Sequence, residues 1–172
     1  DPDGDPSTND APRIVSNSWG GSQWDYGFQN IVQSWRRFDV FPNFAAGNSG
    51  FYFTIGSPGS YPFSFAVGAV DENYSITSFS SRGPSVDFKN YWPRFHTKPE
   101  ISAPGLDVYS TLPKGQYDYY SGTSMATPHI SGVIALALQA NPALKVEDLE
   151  KILTETAMLK GKGPKNNRYG HG

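Results

Sequence analysis

The chain has no cysteine, and its 172 residues include only two methionines and three histidines. Without thiols there is no disulfide framework and no thiolate metal site, and the redox compartment stays undetermined. Charge is scarce as well: Asp, Glu, Lys and Arg make up 17% of the residues, with a formal net charge of −2. Such a balance offers nothing to nucleic acid or to an anionic membrane. No apolar run approaches the roughly 18 residues of a membrane span. The acidic, proline-rich start, Asp1-Pro2-Asp3-Gly4-Asp5-Pro6, is unlike a signal peptide, so a secretory leader would lie upstream of Asp1. What the chain has in quantity is Gly (18), Pro (14) and aromatic residues (15%), a composition suited to short elements joined by fixed turns. The length is that of a single domain able to bury a sizeable core, and neither a repeat nor a linker divides it.

The stretch that organises the rest runs Gly122-Thr123-Ser124-Met125-Ala126-Thr127-Pro128-His129 and continues, apolar or small on almost every side, to Ala140. A helix that is apolar all round belongs inside a domain. Pro128 is tolerated in a first helical turn, which predicts a start near Thr123 or Ser124. The Ser124 hydroxyl then sits where free N–H groups and the helix dipole favour developing negative charge. A plain N-cap serine would satisfy the same geometry, so position alone does not make Ser124 a nucleophile. Ala126 excludes the nucleophile elbow of an α/β-hydrolase, which needs glycine two residues after the serine.

Upstream, Arg13–Trp19 reads as a strand, and Phe28, Ile31, Val32, Trp35 and Phe38 form a helical stripe after Asp25, a candidate N-cap. A second apolar run from Val40 to Ala46 completes a βαβ unit and predicts a parallel sheet. That run ends in Ala45-Ala46-Gly47-Asn48, at the carboxyl end of a strand, where open α/β sheets gather ligands. Phe65–Val70 reads as another buried strand. The segment from Val86 to Lys98 is aromatic, with Phe88, Tyr91, Trp92 and Phe95; it either lines a substrate site or packs on the body of the domain, the simpler reading, and His96 within it reads as a surface histidine. Val108–Leu112 and Tyr117–Tyr120 form a hairpin leading to Ser124, and a closing amphipathic helix turns Val146, Leu149, Ile152, Leu153 and Ala157 inward.

The Gly-Thr-Ser-Met-Ala-Thr-Pro-His string resembles the nucleophile motif of subtilisin-like serine peptidases. Ala45-Ala46-Gly47-Asn48 is similar to that family's oxyanion-hole motif, and Tyr169-Gly170-His171-Gly172 to its closing residues. The resemblance implies a three-layer α/β fold, with a mostly parallel sheet, helices on both faces and a buried central helix beginning at the nucleophile. It implies Ser124 as nucleophile and Asn48 as oxyanion donor. Ser18, Trp19 and Gly20 become the edge on which an extended polypeptide substrate binds, and Ala46 and Gly47 a wall of its primary pocket. Ser57–Pro62 is similar to the segment flanking that pocket, which in many members also offers carbonyls to a weak cation site. No cofactor is required, and a structural calcium remains compatible with those carbonyls or with the aspartates of the first loop, where a solvated loop is the simpler reading.

Neither the Asp-Ser/Thr-Gly nor the His-Gly-Thr motif of the family is present. Asp3-Gly4 lacks the middle residue, His171 follows the serine, and His129 lies further along the serine's own helix. The resemblance therefore covers the C-terminal portion of one catalytic domain. It implies an extracellular serine endopeptidase whose partner would be an upstream half supplying Asp and His, with this chain alone inert. Two alternatives carry other chemistry: a non-catalytic pseudo-peptidase that keeps the groove, and a sedolisin-like acid peptidase, against which Asn48 argues.

Overall fold

A computed structural model describes residues 5, 7–8, 10–89 and 92–172; the aspartates at positions 1 and 3, and the Asp3-Gly4 pair, lie outside the described residues. In chain order the elements are β1 (Ile14–Asn17), α1 (Gln29–Arg37), β2 (Phe41–Ala45), β3 (Phe65–Val70), β4 (Ser85–Lys89), β5 (Trp92–His96), β6 (Ile101–Pro104), β7 (Val108–Leu112), β8 (Gln116–Tyr120), α2 (Thr123–Ala140) and α3 (Val146–Thr156). β1, β2, β3 and β6 form one parallel sheet in the order β1-β2-β3-β6. Two antiparallel hairpins, β4–β5 and β7–β8, stand apart from it.

The layers follow from side-chain alternation along β2, every residue of which is buried. Phe41 turns toward α2 and α3, joining Phe65, Val67, Ile101, Ala126, Ile130, Ile134, Leu149 and Leu153 in the main core. Phe44 turns the other way, to Val32 of α1 and Tyr61, with Trp35 packed alongside. A parallel sheet needs cover on both faces, and α1 on one side with α2 and α3 on the other provides the three layers expected. Each fully buried Phe contributes about 2 to 3 kcal/mol through the area it removes from water.

Three local expectations are corrected. Asp25 does not cap α1; its side chain accepts from Gly27 N–H at 2.9 Å in a local turn, and the helix begins at Gln29. Of the α1 stripe only Val32 is buried and Trp35 half-buried, while Phe28, Ile31 and Phe38 are exposed. The central helix is not buried all round: Val133 is 48% and Leu136 66% exposed, because the sheet covers one face and nothing among the described residues covers the other. No helix is long and apolar enough to cross a membrane.

Candidate active site

Ser124 is the second residue of α2, and the first-turn position expected for Pro128 is also corrected: it lies in the second turn. A proline there lacks the N–H that would bond the carbonyl four residues back, which is that of Ser124. Ser18 fills the gap. Its Oγ donates to the Ser124 carbonyl at 2.8 Å, and the Ser124 Oγ donates in return to the Ser18 carbonyl at 3.1 Å. The end of β1 is thereby fastened to the start of α2 by a reciprocal pair.

Asn48 follows β2, and its side chain is oriented by Thr123. The Asn48 Oδ1 accepts from Thr123 N–H at 2.9 Å and from Thr123 Oγ1 at 3.0 Å, while Thr123 Oγ1 accepts from Gly47 N–H at 3.1 Å. With the carbonyl end so held, the amide end must face away, and Asn48 Nδ2 donates to none of the described residues. Gly122 shows how near it lies to the serine. A Cβ placed on Gly122 would stand 3.4 Å from Asn48 Nδ2 and 3.7 Å from Ser124 N and from Met125 Sδ. The two nitrogens therefore lie close to one point beside the serine. Such a pair of fixed donors can hold an oxygen that gains negative charge.

These residues line a cleft of about 300 Å³. Ser18, Trp19, Gly20, Gly47, Asn48 and Ser124 are brought together there; Ala46 is not. Its side chain is fully buried against Ile55 and Ala66, and Ala45 lines the cleft in its stead. Trp19 is 46% exposed at the rim, its ring edge-on to Phe28 and Phe44. No charged side chain is among the cleft's lining residues.

No histidine or carboxylate among the described residues bonds to Ser124. His129 lines a separate groove on the far side of Ser124 and turns its Nδ1 to the Met125 carbonyl at 2.8 Å, a bond along its own helix. His96 Nε2 lies 3.0 Å from Asp87 Oδ1 across the β4–β5 hairpin, a partner the sequence did not reveal. His171 has its titration pushed below the ordinary 6.5, first by burial and then by Lys165. No group of three His, Cys, Asp or Glu among the described residues could hold a metal ion.

Beside Ser57–Pro62, the carbonyl of Ser64 receives the fully buried Lys98 ammonium at 2.7 Å, and Lys98 also donates to Glu100 Oε2 at 3.0 Å. Burial pushes the Lys98 ammonium below its usual range, against the pull of Glu100.

Sequence reasoning missed Asn43, the polar residue inside the apolar run of β2. Its Nδ2 donates to the Thr127 carbonyl at 2.9 Å and to Ser131 Oγ at 2.8 Å, tying the sheet to α2 just behind the serine. A lone asparagine in a fully buried strand was the available signal.

A helix-borne serine, with the Asn48 amide beside it at the carboxyl end of a parallel sheet, is an arrangement suited to acyl transfer. The subtilase profile, peptidase family S8, matches residues 4–172, and the chain belongs to that family. It is 44% identical over 183 residues to bacillopeptidase F of Bacillus subtilis (strain 168), an alignment covering 100% of this chain and 12% of that protein. It is 35% identical over 151 residues to subtilisin E of the same organism, covering 86% of this chain and 36% of subtilisin E. Among solved structures, sphericase superposes with a TM-score of 0.77 at 34% identity, over 92% of this chain and 55% of that one. The chain thus spans well under two thirds of each of these relatives.

Proposed function

We infer that this chain is the serine-bearing portion of a subtilisin-like endopeptidase. Ser124 Oγ attacks the carbonyl carbon of a peptide bond. The carbonyl oxygen, now an oxyanion, settles between Asn48 Nδ2 and Ser124 N–H. The peptide lies as an added strand along Ser18–Gly20, held by backbone hydrogen bonds, with one side chain in the cleft. The single observation that supports this reading is that Asn48 Nδ2 and Ser124 N lie within 4 Å of one point, beside Gly122 and next to the Ser124 hydroxyl's own helix start.

The proton of Ser124 needs an acceptor, and an unactivated serine hydroxyl is a weak nucleophile. The base and its aspartate come from an upstream half that packs on the exposed face of α2, where Val133 and Leu136 await cover. By the same reading the chain alone is inert, and the assembled enzyme works outside the cell, where its bacillopeptidase and subtilisin relatives suggest it belongs.

A fluorophosphonate probe tests the reading. Ser124 should be labelled when the upstream half is supplied and scarcely at all without it. Replacing Asn48 by Leu should then lower turnover by about 10²–10³, the loss known for the equivalent donor of a related subtilisin. Rapid labelling of the chain by itself would sink the claim that the base is supplied from upstream. Unchanged turnover in Asn48→Leu would sink the role of the amide.

A further inference from the structure

The β4–β5 hairpin has no part in the chemistry above, yet its placement bears on the cleft. Its register sets Val86 opposite Phe95 and Phe88 opposite Pro93. Opposed residues share a face and alternate along each strand, so these four form the apolar side of the hairpin. The Phe88 ring lies 5.7 Å from that of Trp24, and the Phe95 ring 6.5 Å from that of Phe53.

Trp24 and Phe53 adjoin two segments that line the cleft. Gly20 and Gly21 belong to one, and the chain runs on from them to Trp24; Thr54 belongs to the other, directly after Phe53. The two segments meet where Gly21 N–H donates to the Ser57 carbonyl at 2.8 Å and Ser57 Oγ to the Gln23 carbonyl, also at 2.8 Å. The hairpin springs from beside the second segment, where Thr54 N–H donates to the Arg82 carbonyl at 3.2 Å and Phe53 N–H to the Gly83 carbonyl at 3.4 Å. From there it reaches to Trp24. A two-stranded hairpin is marginal by itself; contacts between these half-exposed rings help to hold it, and through it the two segments are joined a second time.

We propose that the β4–β5 hairpin is a specificity-determining brace. By clasping Trp24 through Phe88 and Phe53 through Phe95, it fixes the spacing of the two lining segments next to them and so the size of uncharged substrate side chain that the cleft accepts. Phe88 and Phe95 act as positioning residues that never touch the substrate. The proposal rests on the reading of the cleft as the pocket for the side chain preceding the scissile bond.

The test uses the enzyme assembled with its upstream half and three peptide p-nitroanilides that differ only in the residue before the cleaved bond: Ala, Leu or Phe. In Phe88→Ala/Phe95→Ala, KM for the Leu and Phe peptides should rise about tenfold. kcat should stay within about twofold, and the Ala peptide should be nearly unaffected. Phe88→Leu and Phe95→Tyr, which keep an apolar side chain in place, should restore the Leu and Phe peptides. A loss by one common factor across all three peptides, or no change in any, overturns the proposal. Trp24→Ala breaks the same clasp from the other side and should disfavour the large residues in the same order; an order identical to wild type overturns the proposal even where the double variant does not fold. Failure of the wild-type enzyme to cleave any of the three would instead count against the peptidase reading itself.

Discussion

Removing the Ser18 hydroxyl should matter only because Pro128 is a proline. Ser18 Oγ donates at 2.8 Å to the Ser124 carbonyl, the group that Pro128 leaves without its helical partner. In Ser18→Ala that carbonyl loses its donor, and because the bond is exposed, water replaces it only in part. A net hydrogen bond is worth about 1 kcal/mol, with about 1.5 as the upper end. In Pro128→Ala the backbone regains an N–H at the position that bonds Ser124, so a second donor is available. There, Ser18→Ala should cost less than about 0.5 kcal/mol. The coupling between the two sites is then about 1 kcal/mol, within the range for residues that share a partner. Urea unfolding of the four species measures it from the shift in midpoint at constant m. Equal costs of Ser18→Ala in the two backgrounds would show that the carbonyl is satisfied some other way, and the account of how β1 is fastened to α2 would be wrong.

Other consequences can be checked separately. Thr123→Val keeps the shape of the residue but frees Asn48 Oδ1 from one of its two donors; turnover of the assembled enzyme should fall about tenfold while KM moves less than about twofold, and a change confined to KM would exclude an orienting role. Burial and then Lys165 push the His171 titration below its ordinary value of 6.5, so below that value the unfolded chain binds a proton more readily than the folded one. The linked stability is complete above that value and is lost as pH falls toward the lowered folded-state value. His171→Gln should flatten the fall in thermal midpoint between about pH 7 and about pH 5, and an unchanged slope would remove His171 from the account. Val133→Lys/Leu136→Lys alters side chains that are 48% and 66% exposed, so the chain's own unfolding should shift by less than about 1 kcal/mol. Labelling of Ser124 in the presence of the upstream half should nevertheless disappear; retained labelling would mean that the half docks elsewhere.

Strands surrounded by cover on both faces were easy to read, because burial leaves a continuous apolar run: β3 occupies residues 65–70 as expected. Helix boundaries were harder. Asp25 has the chemistry of an N-cap but spends it on Gly27 N–H, since a short polar side chain bonds equally well to a nearby turn. The residues of the site were legible through motifs rather than through periodicity. Nothing in the spacing of Ser124 and Asn48 says that they meet; β2 delivers one and α2 the other, and only the packing of α2 across the parallel sheet brings them to the same cleft. The roles of Thr123 and Ser18 could not be read at all, because each depends on which backbone group a neighbouring segment leaves unpaired.

The two halves of the chemistry differ in what they require of the fold. Everything that orients the proposed oxyanion donors is internal to this chain: Thr123 holds Asn48, Ser18 holds the first turn of α2, and Asn43 anchors that helix to β2. None of these bonds involves the exposed face of α2, so the donors are set in place whether or not that face is covered. The base has no such provision, and the apolar residues along the exposed face are an expense that burial alone would offset. On the proposed function, a helix whose composition is that of an interior element, yet whose fold covers one side, records a second surface. The helix that carries Ser124 at its first turn would then also carry the contact through which the base arrives, and assembly and activation would be one event.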